Sequence, residues 1–340
     1  MPKADEGCCR AMTSLPSEAA TWLTTWLGPG WTARPLAGDA SVRAYYRIES
    51  ADGRTHMLAY YPEEVRHQLV RFLGAYDAIH AYARVPEVLQ HADVAVLQHD
   101  VGDRTLFDVL HEHRDEGLRL YRDAIDLLAE FQRARDCGLN APFTAEFFFN
   151  ELKMAREFYV EKLMGGDGAA LEPLMKTVCD NVSRHPYVLC HRDFHGQNLH
   201  VIEDTIYLID YQDLRMGPDT YDLASLLRDR GVARVIGDEA ELELLEHYAE
   251  AIGADSDIRR RYFETLLQRS IKILGTFTAQ PILRGRMHYL DFIPATLESI
   301  RRSIEELPGY EPLRDMFPLA FDLEAARKRA RELYEARSSS

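Results

Sequence analysis

The hydrophobic pattern of this chain is rich in strand periods up to residue 98 and almost wholly helical beyond Gly102, and that shift narrows the architectures open to it. Between residues 31 and 98 apolar side chains tend to recur at every second position, the spacing of a strand with one buried face. Residues 31–36, 42–49 and 55–61 read as three strands, broken by Gly38-Asp39 and by the hairpin signal Asp52-Gly53. Runs 85–89 and 94–98 read as two more. A helix over 63–82 carries the stripe Val65, Leu69, Phe72, Leu73, Tyr76 and Ile79. Ahead of the strands, residues 17–27 form a short amphipathic helix stopped by Gly28-Pro29-Gly30.

Beyond Gly102 the period becomes helical. Segments 106–113, 118–135, 145–163, 171–183, 221–230, 238–252, 258–277, 286–307 and 323–334 all follow it. Within them, apolar runs 187–190 and 205–209 flank a polar loop and read as a hairpin-like insert. At 340 residues and 39.0 kDa the chain exceeds what one core usually organises. The expected architecture is α+β. It has a flexible tail over 1–16 and a β-rich lobe over 17–98, with one helix after the third strand. A hinge over 99–103 leads to a helical lobe over 104–337.

Forty basic against 55 acidic residues give a net charge of −15, which disfavours a nucleic-acid partner. An anionic ligand would need a local arginine cluster or a metal ion. Only six of the basic residues are lysines. No run of about 18 apolar residues occurs, so no membrane span is expected. The first twenty residues carry Asp5, Glu6 and Glu18 and have no apolar core, so no secretory signal is expected. The five cysteines lack Cys-x-x-Cys spacing, which favours reduced thiols in a cytoplasmic protein. Gly165-Gly166-Asp167-Gly168 is followed by no Lys-Ser/Thr and reads as an inter-helix loop.

The chemistry concentrates between Cys190 and Asp222. The stretch runs Cys190-His191-Arg192-Asp193-Phe194-His195-Gly196-Gln197-Asn198, then an apolar run ending in Ile209-Asp210, then Gly217-Pro218-Asp219-Thr220-Tyr221-Asp222. Asp193, Asn198 and Asp210 recur at intervals of five and twelve. Phosphoryl transfer from Mg·ATP needs oxygen ligands for the metal and a carboxylate to orient and deprotonate the attacking hydroxyl. A loop carrying Asp193 and Asn198 beside a strand end carrying Asp210 meets that need. Asn198 and Asp210 would hold Mg²⁺, and Asp193 would face the acceptor. His191 reads as a packed residue holding the loop. Asp222 reads either as a helix cap or as a brace for the catalytic loop.

His-x-Asp-x-x-x-x-Asn followed by Ile-Asp resembles the signature of the protein-kinase-like fold. His195 stands where a protein kinase has lysine, and Asp210-Tyr211-Gln212 replaces Asp-Phe-Gly. Six residues separate Asp210 from Gly217, too few for an activation loop. The chain therefore resembles the aminoglycoside phosphotransferase and choline kinase group. Within it, the chain is most similar to the anomeric N-acetylmuramate/N-acetylglucosamine kinases of bacterial cell-wall recycling. That likeness rests on residues 38–43, 100–105, 209–213, 217–229 and 268–277.

The resemblance implies a bilobal enzyme with a nucleotide-binding small lobe and a catalytic, substrate-binding large lobe. ATP and Mg²⁺ are its implied cofactors. Asp193 is the implied base, and Asn198 and Asp210 are the metal ligands. Residues 38–41, with Gly38 and Ser41, would cover the ATP phosphates, and the connector from Gln98 through Asp100 would receive adenine. Where most such kinases carry a third-strand lysine, this chain has Leu58-Ala59-Tyr60, and no lysine occurs between Lys3 and Lys153. Arg43 or Arg47 is the expected substitute. The acceptor would meet Arg228 and Asp229, Arg269 and Lys272, or Glu151 and Lys153. The expected partner is a small-molecule amino sugar, bound by a monomer. An aminoglycoside or choline-type kinase and a non-catalytic nucleotide-binding protein remain the alternatives.

Overall fold

Five short strands pair antiparallel in the order β1-β2-β3-β5-β4: β1 Thr32–Pro35, β2 Ala44–Glu49, β3 Thr55–Tyr60, β4 Val88–Ala92 and β5 Ala95–His99. The structure, a computed structural model, describes residues 15–36 and 43–338. Gly38 and Ser41 therefore lie outside the described residues. Asp52-Gly53 turns β2 into β3. Gly53 takes φ +81°, and the Ser50 hydroxyl and Arg54 N–H both donate to Asp52 Oδ1. β4 starts later than the apolar run at 85–89 suggests, because Pro86 has no N–H to give a ladder.

Strand alternation assigns the two faces. Tyr46, Ile48, Leu58, Tyr60, Ala95 and Leu97 pack together against Ala19 and Leu23 of the Ser17–Leu27 helix. Ala59 and Val96 point the other way. They join the main core with Leu69, Phe72, Ala75 and Ile79 of the Arg66–Ile79 helix. Each face of the sheet is thus covered by one helix. The connector is tied to both sides: Arg47 pairs with Asp100 and Asp103 at 2.7 Å each. Gly102 and Arg104 accept hydrogen bonds from His200 Nδ1 and the Val201 N–H, at 2.8 and 2.9 Å.

The insert differs from the expected single hairpin. β6 Tyr187–Cys190 pairs with β9 Arg215–Pro218, while β7 Leu199–Ile202 pairs with β8 Thr205–Leu208. The β7–β8 turn is Glu203-Asp204, both at positive φ (45° and 63°), a two-residue turn made without glycine. β9 holds a glycine and a proline and so carries no strand pattern.

The helical region is organised around Ile258–Arg284, 27 residues buried on most sides. It crosses the helix expected over 145–163, which runs as α-helix over Ala145–Met154 and widens into π-helix over Ala155–Leu163. At that crossing a Cβ on Gly275 would sit 2.5 Å from the Ala155 nitrogen and 2.9 Å from the Met154 carbonyl carbon. Backbone cannot yield as a flexible side chain can. Gly275→Ala should therefore lower the unfolding free energy by about 2–3 kcal/mol, although alanine gains about 1 kcal/mol of helix propensity. Chemical denaturation checks this, and an unchanged or higher midpoint would contradict it. Among the described residues, no helix is long and apolar enough to cross a membrane.

Candidate active site

β6 ends at Cys190, and the loop over 191–198 that follows is fixed from three directions. Asp222 sits fully buried at the start of the Tyr221–Arg228 helix. Its carboxylate accepts the N–H groups of His191 and Arg192 at 2.6 and 2.9 Å. No side chain caps that helix, where Thr220 occupies the cap position, so Asp222 is a brace for the loop. His191, also fully buried, bonds through Nε2 to the Ile209 carbonyl at 3.0 Å. The Asn198 amide donates to the Asp193 carbonyl at 2.9 Å, and the Ile209 N–H donates to the Asn198 carbonyl at 3.0 Å.

These bonds hold Arg192 at φ +80° and Asp210 at φ +64°, a region costing a non-glycine residue roughly 1 kcal/mol or more. Burial pushes the Asp222 carboxyl above its usual value, while His191 and the two backbone N–H groups pull it back.

Asn198 directly precedes β7 and Asp210 closely follows β8, so both emerge at the open end of one hairpin. Asp193 comes instead from the end of β6 and reaches them through the Asn198 bond. Asp210 accepts from Gln212 at 2.8 Å and stands 4.0 Å from the Arg43 guanidinium. One carboxylate and one amide are oxygen donors of the kind that would hold a divalent cation beside a nucleotide's phosphates. Among the described residues no cluster of three or more His, Cys, Asp or Glu forms a closed metal cage.

Arg43 rests against the Tyr45 and Tyr61 rings at about 6 Å beside Asp210, whereas Arg47 is committed to Asp100 and Asp103. The position expected for the third-strand lysine holds Leu58 and Ala59, both buried. Gln98 is buried within β5, and the Asp100 carboxylate is occupied by Arg47 and the Gly102 N–H.

Asp193 borders a cavity of about 520 Å³ in the helical region. Arg228 and Lys272 share its wall, but Glu151 does not. The Glu151 carboxylate lies behind Lys272, bonded to its ammonium at 2.7 Å and to Gln268 at 3.3 Å. Arg228 is tied to Glu241 and Asp238. The cavity also takes in Arg192 and His195, which flank Asp193 within the motif itself, and the rings of Phe277, Tyr289 and Phe292. Burial lowers the His195 imidazole below its usual value, against the pull of Asp229 and Asp193, so it is neutral near pH 7. The aromatic wall comes from Phe277 of the Ile258–Arg284 helix and from Tyr289 and Phe292 of the 3₁₀ stretch Met287–Phe292 that follows it.

A five-stranded antiparallel sheet joined through a short connector to a helical region, with this loop where they meet, is the fold of kinase-like phosphotransferases. The chain belongs to the phosphotransferase enzyme family, whose model matches residues 32–263. The N-acetylmuramate/N-acetylglucosamine kinase of Neisseria meningitidis is 28% identical over 82% of this chain and 87% of its own length. The kinase of the same name from Pseudomonas aeruginosa is 26% identical over 83% and 86%. Among solved structures, amicoumacin kinase in complex with AMP-PNP, Ca²⁺ and its antibiotic has a TM-score of 0.59. It is 14% identical and covers 91% of this chain and 97% of its own. This chain is an enzyme that transfers a phosphoryl group to a hydroxyl acceptor.

Proposed function

We propose that this enzyme phosphorylates the anomeric hydroxyl of an N-acetylated amino sugar, N-acetylmuramate or N-acetylglucosamine, to the 1-phosphate, in the recycling of cell-wall sugars. ATP is the donor, bound by the lobe over 17–98 with a hinge over 99–103, and the lobe over 104–337 holds the sugar. The observation that carries the reading is the cavity beside Asp193. It is sugar-sized, and with the paired charges of Arg228, Lys272 and Asp291 set aside, Arg192, Arg230, Arg234 and Arg269 face the acids Asp193 and Asp229. That balance suits a neutral or anionic acceptor and disfavours the polycationic or quaternary-ammonium ligands of antibiotic and choline kinases. We place the enzyme in the cytoplasm, as a monomer, where ATP is available.

In this reading the sugar O1 attacks the γ-phosphorus and the bond to the ADP oxygen breaks. The O1 proton passes to the Asp193 carboxylate. Mg²⁺, held by Asn198 and Asp210, would neutralise charge on the β- and γ-phosphates. Arg43, beside Asp210, supplies the cationic contact that lysine gives elsewhere in this fold. His195, neutral at the cavity wall, adds no positive charge beside Asp193. Purified enzyme with Mg·ATP should release ADP on N-acetylmuramate and N-acetylglucosamine and not on kanamycin or choline. Turnover confined to kanamycin or choline would refute the reading, and ATP binding without turnover on any acceptor would revive a non-catalytic role.

A further inference from the structure

The cations around the cavity are not equivalent. Arg228 is neutralised by Glu241 and Asp238, and Lys272 by Glu151. Arg230 and Arg234 are exposed. Arg269 differs from all four. It is 8% exposed, forms no ion pair among the described residues, and its buried Nη1 has no hydrogen-bond partner. Its Nη2 donates to the Ser225 hydroxyl at 2.8 Å, and its guanidinium stacks 4.2 Å from the centre of the Tyr221 ring.

Those two contacts fix the orientation of the guanidinium without satisfying its charge. Asp222, Asp193 and Glu151 all act on it electrostatically, yet none of them forms an ion pair with it among the described residues. Asp222 spends both oxygens on the loop backbone, and Glu151 is committed to Lys272 and Gln268. A buried, incompletely bonded cation is costly. Acids are not scarce in a chain with a net charge of −15, so shortage does not explain the vacancy. Arg192, on the same cavity wall, also has a buried Nε without a partner.

We propose that Arg269, assisted by Arg192, is a receptor for a carboxylate on the acceptor, so that the enzyme prefers an acidic N-acetylated sugar over a neutral one. The proposal rests on the amino-sugar reading and deepens it. A guanidinium can give a carboxylate two N–H donors, here the unpartnered Nη1 and the second hydrogen of Nη2, and a neutral sugar leaves them unanswered. N-acetylmuramate carries such a carboxylate and N-acetylglucosamine does not.

The test measures kcat/KM of wild type and Arg269→Gln on N-acetylmuramate, on its methyl ester and on N-acetylglucosamine. The variant should lose roughly 10- to 100-fold more on the acid than on the neutral sugar. Esterification should cost wild type a similar factor and cost the variant almost nothing, because the two changes remove one interaction. Equal losses on acid and neutral sugar, or no loss on either, would overturn the receptor. Should the variant fail to fold, wild type decides alone: equal kcat/KM for acid and ester overturns the proposal, and a tenfold preference for the acid supports it. Wild type that phosphorylates neither sugar refutes the amino-sugar reading itself, a result distinct from each of these.

Discussion

Asp193→Asn is expected to lower kcat for sugar phosphorylation by roughly 10²- to 10⁴-fold, the usual contribution of a positioned general base. The side chain is exposed on the cavity wall, and it is the Asp193 backbone carbonyl, not its carboxylate, that anchors Asn198. An amide of the same shape should therefore leave the loop in place and change unfolding free energy by no more than about 0.5 kcal/mol. Nucleotide affinity should stay within a few-fold, because the proposed metal and phosphate contacts belong to Asn198, Asp210 and Arg43. Turnover at the wild-type rate would show that Asp193 does not take the proton. Lost activity together with a large loss of stability would show that the residue is structural.

The grouping of Asp193, Asn198 and Asp210 stands out in the sequence because they lie close together and are polar where the flanking strands are apolar. Asp193 and Asn198 share one loop, and Asp210 follows the next strand pair. The strand partners were harder to read. The β7–β8 turn uses Glu203 and Asp204 at positive φ, where glycine or asparagine would have announced it. β9 ends in Gly217-Pro218, which reads as loop. Side-chain commitments were not legible at all. Arg43 and Arg47 stand four residues apart and look interchangeable, yet one faces Asp210 and the other is consumed by Asp100 and Asp103. Glu151 and Lys272, 121 residues apart, neutralise each other, while Arg269, one helical turn before Lys272, is left without a carboxylate. Such pairings depend on how helices cross, and period alone does not encode the crossing. The π-helical stretch against Gly275 belongs to the same class.

Asp222→Asn should combine the two losses that Asp193→Asn separates. Asp222 is 0% exposed and accepts two backbone N–H groups, one of them from Arg192 in the left-handed region. An asparagine of the same shape offers one oxygen and turns an NH₂ group toward the second N–H. That leaves two buried donors facing each other, at a cost of roughly 2–4 kcal/mol. The loop then escapes by letting Arg192 relax toward ordinary backbone, which swings the next residue, Asp193. A displacement of about 1 Å at a reacting group costs on the order of 10²-fold in rate. The expected result is a lower denaturation midpoint together with a kcat reduced by about 10²-fold at a temperature where the variant is fully folded. ATP affinity should change little, because the β7–β8 hairpin is held by its own ladder. If Asp222→Asn unfolds at the wild-type midpoint and keeps wild-type kcat, Asp222 does not brace the loop. In that case the positive φ at Arg192 must be held by His191 and its bond to Ile209.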